Sequence, residues 1–241
     1  MKNYSVGTWL SLPNESVAEI FANAGYDWVV IDLEHSAINI DQAANLIRVI
    51  DLAGSKPFVR LSDHSSSQIK RVLDAGAKGI LAPMIESQDQ IEGIIQACNY
   101  PPGGIRGMGL ARAQGYGEEE VKAKYINTEF KQIEIYAQIE SAKGIENVES
   151  IFSQNIDGYF IGPYDLSASL GNPGNFNSVE FIAAEDIVLK AAKKHQLKCG
   201  YHLVEPNKDH IPVLQKKGYD MIAFSVDIRM LDVSARLPFT E

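Results

Sequence analysis

The stretch YAQIESAKGIENVESIFSQNIDGYFIGPYDLSASLG, residues Tyr136–Gly171, joins two short apolar runs through one amphipathic segment. The first run, Ile133–Ile139, and the second, Tyr159–Gly162, are apolar enough to be strands buried on both faces. The segment Ala142–Phe152 between them has the spacing of a helix. A strand, a helix and a second strand in this order form the repeating unit of α/β folds with a parallel sheet.

The same alternation continues on both sides of this stretch. The other candidate strands are Val6–Leu10, Trp28–Leu33, Pro57–Leu61, Gly79–Pro83, Lys198–Leu203 and Met221–Ser225. The other candidate helices are Glu15–Ala24, Asp41–Leu52, Ser66–Asp74, Gln88–Cys98, Val179–Lys194 and Asn207–Lys217. Eight strands alternating with helices in 241 residues predict an α/β protein with one (β/α)8 TIM barrel over residues 1–241. An open doubly wound sheet is the alternative, but no GxGxxG follows the first strand.

The composition limits the partners and the location that we expect. Lys and Arg total 22 against 31 Asp and Glu, a net charge of −9, which argues against general binding of nucleic acid or an anionic membrane. Cys98 and Cys199 share no metal-ligand spacing, so we expect reduced, buried thiols. No secretory signal and no apolar run of about 20 residues is visible, so the cytoplasm is the expected location.

In a TIM barrel the chemistry collects at the carboxyl ends of the strands. The aromatic, polar and charged residues at or just beyond the predicted strand ends are Trp9, Asp32, Glu34, His35, Arg60, Gln138, Glu140, Asp165 and His202.

Glu140 and Asp165 follow successive strands and together indicate a metal site. Two carboxylates there offer the oxygen ligands that a hard divalent cation prefers, and leave open positions for a substrate. The alternative is that both are helix caps or first-turn acids, because helical patterns follow both positions. Gln138 points to the same side of its strand as Glu140, and either orients a substrate or satisfies a neighbour.

Arg60 and His35 lie at neighbouring strand ends. A guanidinium there can hold a carboxylate or stabilise an oxyanion, or can simply pair with Asp32 or Glu34. A neutral imidazole beside acids can act as a general base, although a lone loop histidine is commonly structural.

Other charged residues allow either interpretation. The irregular segment Tyr100–Glu118 carries Arg106 and Arg112, which could reach an anionic substrate or remain solvated. His202 either lines the wall of the substrate pocket or is a packing residue. The remaining histidines on polar stretches, predicted to be surface residues, are His64, His195 and His210.

Seven motifs occur in order along nearly the whole chain. They are GTW at Gly7–Trp9, GYDWVVIDLEH at Gly25–His35, FVR at Phe58–Arg60, IKRVLDAGAKGILAPM at Ile69–Met84, YPPGGIRGMG at Tyr100–Gly109, QIES at Gln138–Ser141 and GPYDLSASLG at Gly162–Gly171. In this combination the sequence resembles the HpcH/HpaI family of metal-dependent (class II) pyruvate aldolases.

The resemblance implies a TIM barrel, a divalent cation (Mg2+, Mn2+ or Co2+) held by Glu140 and Asp165, and no organic cofactor. It implies that Arg60 lies against the carbonyl of pyruvate, and that His35 is the acid/base group with Asp74 as its partner. The further residues implied or expected around the substrate are Asp32, Gln138, Tyr164, Asp165, Trp9, Arg112 and His202. The partners expected are a small-molecule 2-oxo acid, an aldehyde, and further copies of the chain in a homo-oligomer (trimer or hexamer).

The chain departs from the family pattern in three places. The loop after RGMG is slightly shortened, and in the family this loop helps to select the aldehyde, often across a subunit boundary. The eighth strand reads IAFSVD, where the family usually has a glycine before the aspartate, so Phe224 and Ser225 are expected to reshape the site. The segment after Leu231 is short, which leaves the family's hexameric assembly open. The alternative functions are citrate-lyase-like cleavage of a CoA thioester and a non-catalytic metabolite-binding barrel.

Overall fold

The computed structural model describes residues 4–239, and within them eight parallel strands form a closed barrel in chain order. The strands are β1 Ser5–Leu10, β2 Trp28–Asp32, β3 Lys56–Arg60, β4 Gly79–Ala82, β5 Glu134–Ile139, β6 Gly158–Ile161, β7 Lys198–Leu203 and β8 Met221–Val226. β8 pairs with β1 and closes the sheet. This confirms the predicted (β/α)8 TIM barrel and excludes the open doubly wound sheet.

Helices surround the barrel. They are α1 Glu15–Asn23, α2 Ile40–Leu52, α3 Ser66–Ala75, α4 Gln88–Cys98, α5 Glu119–Asn127, α6 Ala142–Glu146, α7 Val148–Phe152, α8 Pro163–Ser169, α9 Val179–His195, α10 Ile211–Lys217 and α11 Asp227–Arg236. None of the helices in this described part of the chain is long and apolar enough to span a membrane.

Two apolar layers account for the fully buried strands. The interior of the barrel is filled by large side chains, among them Trp9, Trp28, Phe58, Tyr136 and Phe160. A larger layer between the strands and the helices holds the aliphatic residues of the opposite strand faces. Because both faces of each strand are covered, the strands read as continuous apolar runs, which is the pattern that made them predictable.

Helix ends explain where the predicted and observed elements differ. The predicted helix Ala142–Phe152 is divided into α6 and α7, because Asn147 leaves the helical conformation. The side-chain amide of Asn147 donates to the backbone carbonyl of Glu86 at 2.8 Å. Helices α5 and α11 were not among those predicted. α5 begins after Glu118, whose carboxylate accepts hydrogen bonds from two N–H groups of the first turn. An acidic run before a helical segment is the signal that could have revealed it.

The two cysteines are buried and free, as predicted. Burial raises the pKa of Cys98 to about 12, and burial likewise raises that of Cys199 to about 11. Both thiols are therefore protonated and unreactive near neutral pH.

Candidate active site

Glu140 directly follows β5 at the carboxyl end of the barrel, which we call the mouth. Its side chain is buried, and its two oxygens accept hydrogen bonds from uncharged groups. Met84 N–H donates to Oε1 at 2.7 Å, and the Gln138 amide donates to Oε2 at 2.6 Å. Gln138 and Glu140 thus face the same side of the strand, as their alternation predicts.

The charge of Glu140 is poorly compensated. Burial raises the pKa of its carboxyl to about 7; the Met84 N–H opposes this, and the nearby carboxylates of Glu34 and Asp165 add to it. A buried carboxylate near other carboxylates disfavours its charged form, and a bound cation would relieve this cost. The mouth is therefore a place where a cation is electrostatically favoured.

Neither candidate metal ligand is used as a helix cap. The N-cap of α6 is Ser141, whose hydroxyl accepts from Gly144 N–H at 3.1 Å. The N-cap of α8 is Gly162, and Asp165 lies exposed within the first turn of that helix. The helix-cap interpretation left open by the sequence is therefore wrong for both residues, although Asp165 is a first-turn acid.

Gly162 allows the Glu140 carboxylate to approach the start of α8. A Cβ atom built on Gly162 would lie 2.5 Å from Glu140 Oε2 and 3.2 Å from Gln138 Nε2. Any larger residue would displace the carboxylate, so the glycine is required by close approach rather than by its backbone angles.

Arg60 is fixed by two acidic residues from β2 and the segment after it. The β2–β3 register places Asp32 opposite Arg60, and the guanidinium binds this carboxylate at two points, with Nε–Oδ1 at 2.9 Å and Nη2–Oδ2 at 2.6 Å. Arg60 Nη1 lies 3.0 Å from Glu34 Oε2. Although burial opposes it, the hydrogen bonds and charge of Arg60 hold the pKa of Asp32 below its ordinary value. Arg60 thus pairs with both Asp32 and Glu34, as one of the two interpretations of the sequence predicts. A guanidinium has five N–H donors, and these contacts leave some of them free for a substrate.

His35 lies at the rim of the mouth. Its side chain is 64% exposed, and its Nε2 is 3.8 Å from Glu34 Oε2. The backbone N–H of His35 donates to Asp32 Oδ1 at 3.2 Å, which ties the loop to the Arg60 cluster. The imidazole is accessible to solvent and to a substrate.

Trp9 and His202 form one wall of the mouth. Their rings stack 4.4 Å apart with an interplanar angle of 11°, and the Arg60 guanidinium lies 5.7 Å from the indole centroid. Burial, followed by the charge of Arg60, lowers the pKa of His202 to about 4, so the imidazole is neutral at physiological pH. His202 Nε2 lies 3.2 Å from the carbonyl of Ser225 and donates to it.

Ser225 has a φ of 58°, a left-handed conformation that is unusual for a residue other than glycine. Its hydroxyl donates to Val204 O at 2.7 Å, and its side chain is buried. The departure from the family pattern at the end of β8 therefore places a serine with a strained backbone there. Its carbonyl accepts a hydrogen bond from His202.

Tyr164 lies beside Asp165 on α8, is 49% exposed, and contacts the ring of Phe176. Its position at the mouth agrees with a substrate contact, which remains a prediction.

Asp74 and Arg112 lie away from this cluster within one chain. Asp74 is in the last turn of α3, near the amino ends of the strands, where its Oδ1 accepts from Arg106 Nη2 at 2.7 Å and from Gln114 Nε2 at 3.1 Å. Arg112 packs over Gly76 and pairs with Asp51 at the same end. Neither residue contacts His35 or Glu140 in a single copy of the chain. α3 begins near the mouth and runs back along the barrel, so its last turn lies at the opposite end.

Arg106 is also at that end and is almost fully buried, so the interpretation as a solvated loop charge is wrong. Its guanidinium lies over the rings of Tyr100 and Tyr125, at 4.8 and 5.6 Å from their centroids. It organises the long segment after α4.

The donor set at the mouth suits a cation that is bound partly by substrate. Across residues 4–239 no group of three or more His, Cys, Asp and Glu side chains forms a complete metal site. Two carboxylates remain, Glu140 and Asp165, together with a buried Gln138 Oε1 that has no hydrogen-bond partner within the described part of the chain. This is an incomplete oxygen-donor set, as expected where substrate and water occupy the other positions.

Known proteins match this chain over nearly its whole length. Residues 5–232 match the family model described as HpcH/HpaI aldolase/citrate lyase. The chain belongs to this family. Family members with related sequences include a hydroxypyruvate/pyruvate aldolase of Paraburkholderia phytofirmans, 37% identical over 92% of this chain and 86% of that protein. Another is a 2-keto-3-deoxy-L-rhamnonate aldolase of Escherichia coli, 36% identical over 92% of this chain and 82% of that protein.

A solved structure of an HpcH/HpaI aldolase/citrate lyase family protein from Burkholderia cenocepacia superposes with a TM-score of 0.91. It is 33% identical and covers 98% of this chain and 93% of its own. The resemblance found in the sequence motifs is confirmed, and with it the expectation of an aldolase-type carbon–carbon lyase.

Sequence reasoning gave too little weight to three members of the site. Glu34 was considered as a partner of Arg60 but not as a charge that acts on Glu140. Gly162 was read only as part of a motif, and the Met84 N–H carries no side-chain signal. All three depend on the approach of different strands, which a single segment of sequence does not reveal.

Proposed function

We propose that this protein is a metal-dependent pyruvate aldolase that reversibly cleaves a 4-hydroxy-2-oxo acid to pyruvate and an aldehyde. The observation that carries the proposal is the buried and only partly compensated Glu140 carboxylate, near Asp165 and near a guanidinium that Asp32 holds in place. The aldolase names of its relatives support the same reaction class.

Glu140 and Asp165 would hold the divalent cation, which we propose to be Mg2+, Mn2+ or Co2+. When bound there, a divalent cation supplies Lewis-acid polarisation of the oxygen atoms of a 2-oxo acid. The chain's own part is to keep the Glu140 carboxylate in one orientation through Met84 N–H and Gln138.

Arg60 would stabilise the negative charge that develops on the carbonyl oxygen of pyruvate. Removal of a C3 proton moves the electron pair of the C–H bond into the carbonyl, and a fixed cation nearby lowers the energy of that charge. Asp32 and Glu34 hold the guanidinium in place before substrate arrives, so little reorganisation is needed at the moment of reaction. In the cleavage direction the same charge forms when the C3–C4 bond breaks.

His35 would carry the proton. In cleavage, its imidazole accepts the proton of the C4 hydroxyl as the aldehyde forms and the C3–C4 bond breaks, and then gives that proton to C3 of the enolate to form pyruvate. In condensation it takes a C3 proton from pyruvate and delivers it to the aldehyde oxygen as the C3–C4 bond forms. Its exposed position allows exchange with solvent. Asp74 and Arg112 would reach this site only from a second copy of the chain, so their proposed roles require a homo-oligomer.

Trp9, His202, Gln138 and Tyr164 would form the walls around the substrate. The stacked pair of Trp9 and His202 is neutral and flat, which suits the aldehyde part rather than the carboxylate of the 2-oxo acid. The natural aldehyde would be identified by comparing acceptors in a panel.

The deciding experiment is exchange of the pyruvate C3 protons in D2O, followed by NMR with Mg2+, Mn2+ or no metal. We expect exchange that requires metal and is lost in Arg60→Ala, while Arg48→Ala, an exposed arginine on α2, retains it. Pyruvate that stays fully protonated with every metal would refute the proposed reaction.

A further inference from the structure

The peptide group between Pro83 and Met84 lies at the carboxyl end of β4 and is held from both sides. Its N–H donates to Glu140 Oε1 at 2.7 Å. Its carbonyl oxygen lies 2.8 Å from His64 Nε2, which must carry the proton because a carbonyl oxygen only accepts. The two ends of a trans peptide group point in opposite directions, so His64 and Glu140 hold one rigid unit between them.

This peptide group is followed by a strained backbone. Met84 has a φ of 44°, in the left-handed region that residues other than glycine rarely adopt. The Met84 side chain is 52% exposed, so its own packing does not account for the conformation. Strained residues persist where surrounding contacts over-determine them, and they cluster at functional sites. Here the contacts are the two hydrogen bonds of the preceding peptide group.

His64 is itself supported by a short, internally bonded segment. Asp63 Oδ1 accepts from Ser65 N–H at 2.7 Å. The Gln68 side chain accepts from Ser62 N–H at 2.9 Å and donates to the Ser62 hydroxyl at 2.7 Å, which ties the segment to the first turn of α3. His64 was predicted to be a surface residue, but it is half-buried and its ring points toward the end of β4.

We propose that His64 is a positioning residue for Glu140. By fixing the Pro83 carbonyl, it orients the Met84 N–H, and that N–H occupies one oxygen of the Glu140 carboxylate. The Gln138 amide occupies the other oxygen, so the plane of the carboxylate is set and its remaining lone pairs face the mouth. His64 does this without contact with Glu140 or with a substrate. The inference rests on the proposed role of Glu140 as a metal ligand, since groups that orient a ligand tune the affinity of the metal.

The first test measures the peptide group directly and needs no metal. Protein labelled with 15N-methionine contains five methionines, and the Met84 amide signal is identified by its absence in Met84→Leu. In His64→Leu we expect the hydrogen exchange of the Met84 amide to accelerate about 2- to 10-fold, the effect of losing one hydrogen bond. His64→Gln, which keeps an N–H donor, should recover part of the protection. His210→Leu, a change at an exposed histidine, should leave it unaltered.

The second test measures the binding of Mn2+ to the metal-free protein. We expect the dissociation constant to rise about 10-fold in His64→Leu, with partial recovery in His64→Gln and little change in thermal stability. A residue with a merely structural role would lower thermal stability in both variants without this recovery of affinity.

The outcomes separate the two proposals. Wild-type protein that binds no Mn2+ would refute the proposed metal site, and the amide exchange would still decide the role of His64. Wild-type protein that binds Mn2+ while His64→Leu binds it equally well, with unchanged Met84 exchange, would overturn the inference. If His64→Leu does not fold, Gln68→Ala releases the supporting segment and should shift both measurements in the same direction by a smaller factor.

Discussion

Two glutamates six residues apart, at the two ends of β5, have environments that shift their pKa values in opposite directions. Glu134 begins β5 at the amino end of the barrel, and Glu140 follows the same strand at the mouth. Lys56 Nζ lies 2.6 Å from Glu134, and Lys198 and the Tyr136 hydroxyl also donate to it. Although burial opposes it, these donors hold the pKa of Glu134 below its ordinary value, whereas burial raises that of Glu140 to about 7.

The difference separates a carboxylate that this chain already neutralises from one that is a candidate metal ligand. A cavity of about 430 Å³ adjoins Glu134, but the charge there is already neutralised by lysines of this chain. At the mouth the Glu140 carboxylate accepts hydrogen bonds from a side-chain amide and a peptide N–H, and the charge of Arg60 opposes the rise of its pKa without reversing it. A site built to receive an external cation must leave part of its negative charge uncompensated, at a cost in stability.

The largest effect should follow from removal of the charge at the mouth. We expect Glu140→Gln to lower aldolase activity by at least about 100-fold and to weaken Mn2+ binding, because one of two carboxylate ligands is lost. Activity is measured by release of pyruvate from a 4-hydroxy-2-oxo acid. Retention of wild-type activity at saturating metal would contradict the assigned ligand.

In the absence of metal, Glu140→Gln should raise the free energy of unfolding by an amount that depends on pH. Below pH 4.5 Glu140 is protonated in both the folded and the unfolded protein. Between pH 4.5 and about 7 the unfolded chain ionises first, so this group makes the folded wild type progressively less stable as the pH rises, and the loss is constant above pH 7. The advantage of Glu140→Gln over wild type should grow across this window to on the order of 3 kcal/mol in urea unfolding. A pH-independent difference would contradict the assigned titration.

Two glycines of β6 and its carboxyl end provide a matched pair. Gly162→Ala should displace the Glu140 carboxylate and lower activity about 10- to 100-fold, since a 1 Å error in a reacting group has effects of this size. Gly158→Ala, at the other end of the strand, would place its Cβ 2.5 Å from Lys198 O and should mainly lower the thermal midpoint. If Gly162→Ala and Gly158→Ala weakened Mn2+ binding equally, the metal site could not be assigned to the carboxyl end of the barrel.

The smallest effect on catalysis should come from the compensated glutamate. Glu134→Gln leaves the ammonium groups of Lys56 and Lys198 close together and should destabilise the fold by about 1–3 kcal/mol. Steady-state activity below the unfolding transition should stay within about threefold of wild type, since the residue lies at the end of the barrel away from the chemistry. A larger fall in activity, with unchanged stability, would show that the amino end participates in the reaction.

Much of the fold was predictable because its signals are local. β7 and α4 have the bounds that were predicted, and the other strands differ by only a residue or two at their ends. Gly76 and Gly218 end their helices with φ values of 107° and 114°, as the position of a glycine before each next strand predicts. The break at Asn147 and the helix α5 were not predicted, because each depends on a single capping residue rather than on the spacing of apolar residues.

The site was only partly predictable. The predicted strand ends include Arg60, Gln138, Glu140 and His202, and closure of the barrel places the ends of β3, β5 and β7 around one mouth. The pairing of Asp74 with His35 was not found within one chain, because a sequence motif does not specify at which end of the barrel a helix residue lies. The role of His64 depends on a backbone carbonyl of another strand, which has no sequence signature.

The sequence by itself determined the closed barrel and the end at which the two carboxylates lie, because apolar periodicity and strand ends are properties of adjacent residues. Only the tertiary structure decided which carboxylate is compensated. Compensation depends on charges and donors brought from other strands to within a few ångströms, and the energies of such contacts change steeply with distance and burial. Glu134 and Glu140 are both glutamates and lie at opposite ends of one strand. Their neighbours in space make Glu134 a structural residue and Glu140 a candidate metal ligand.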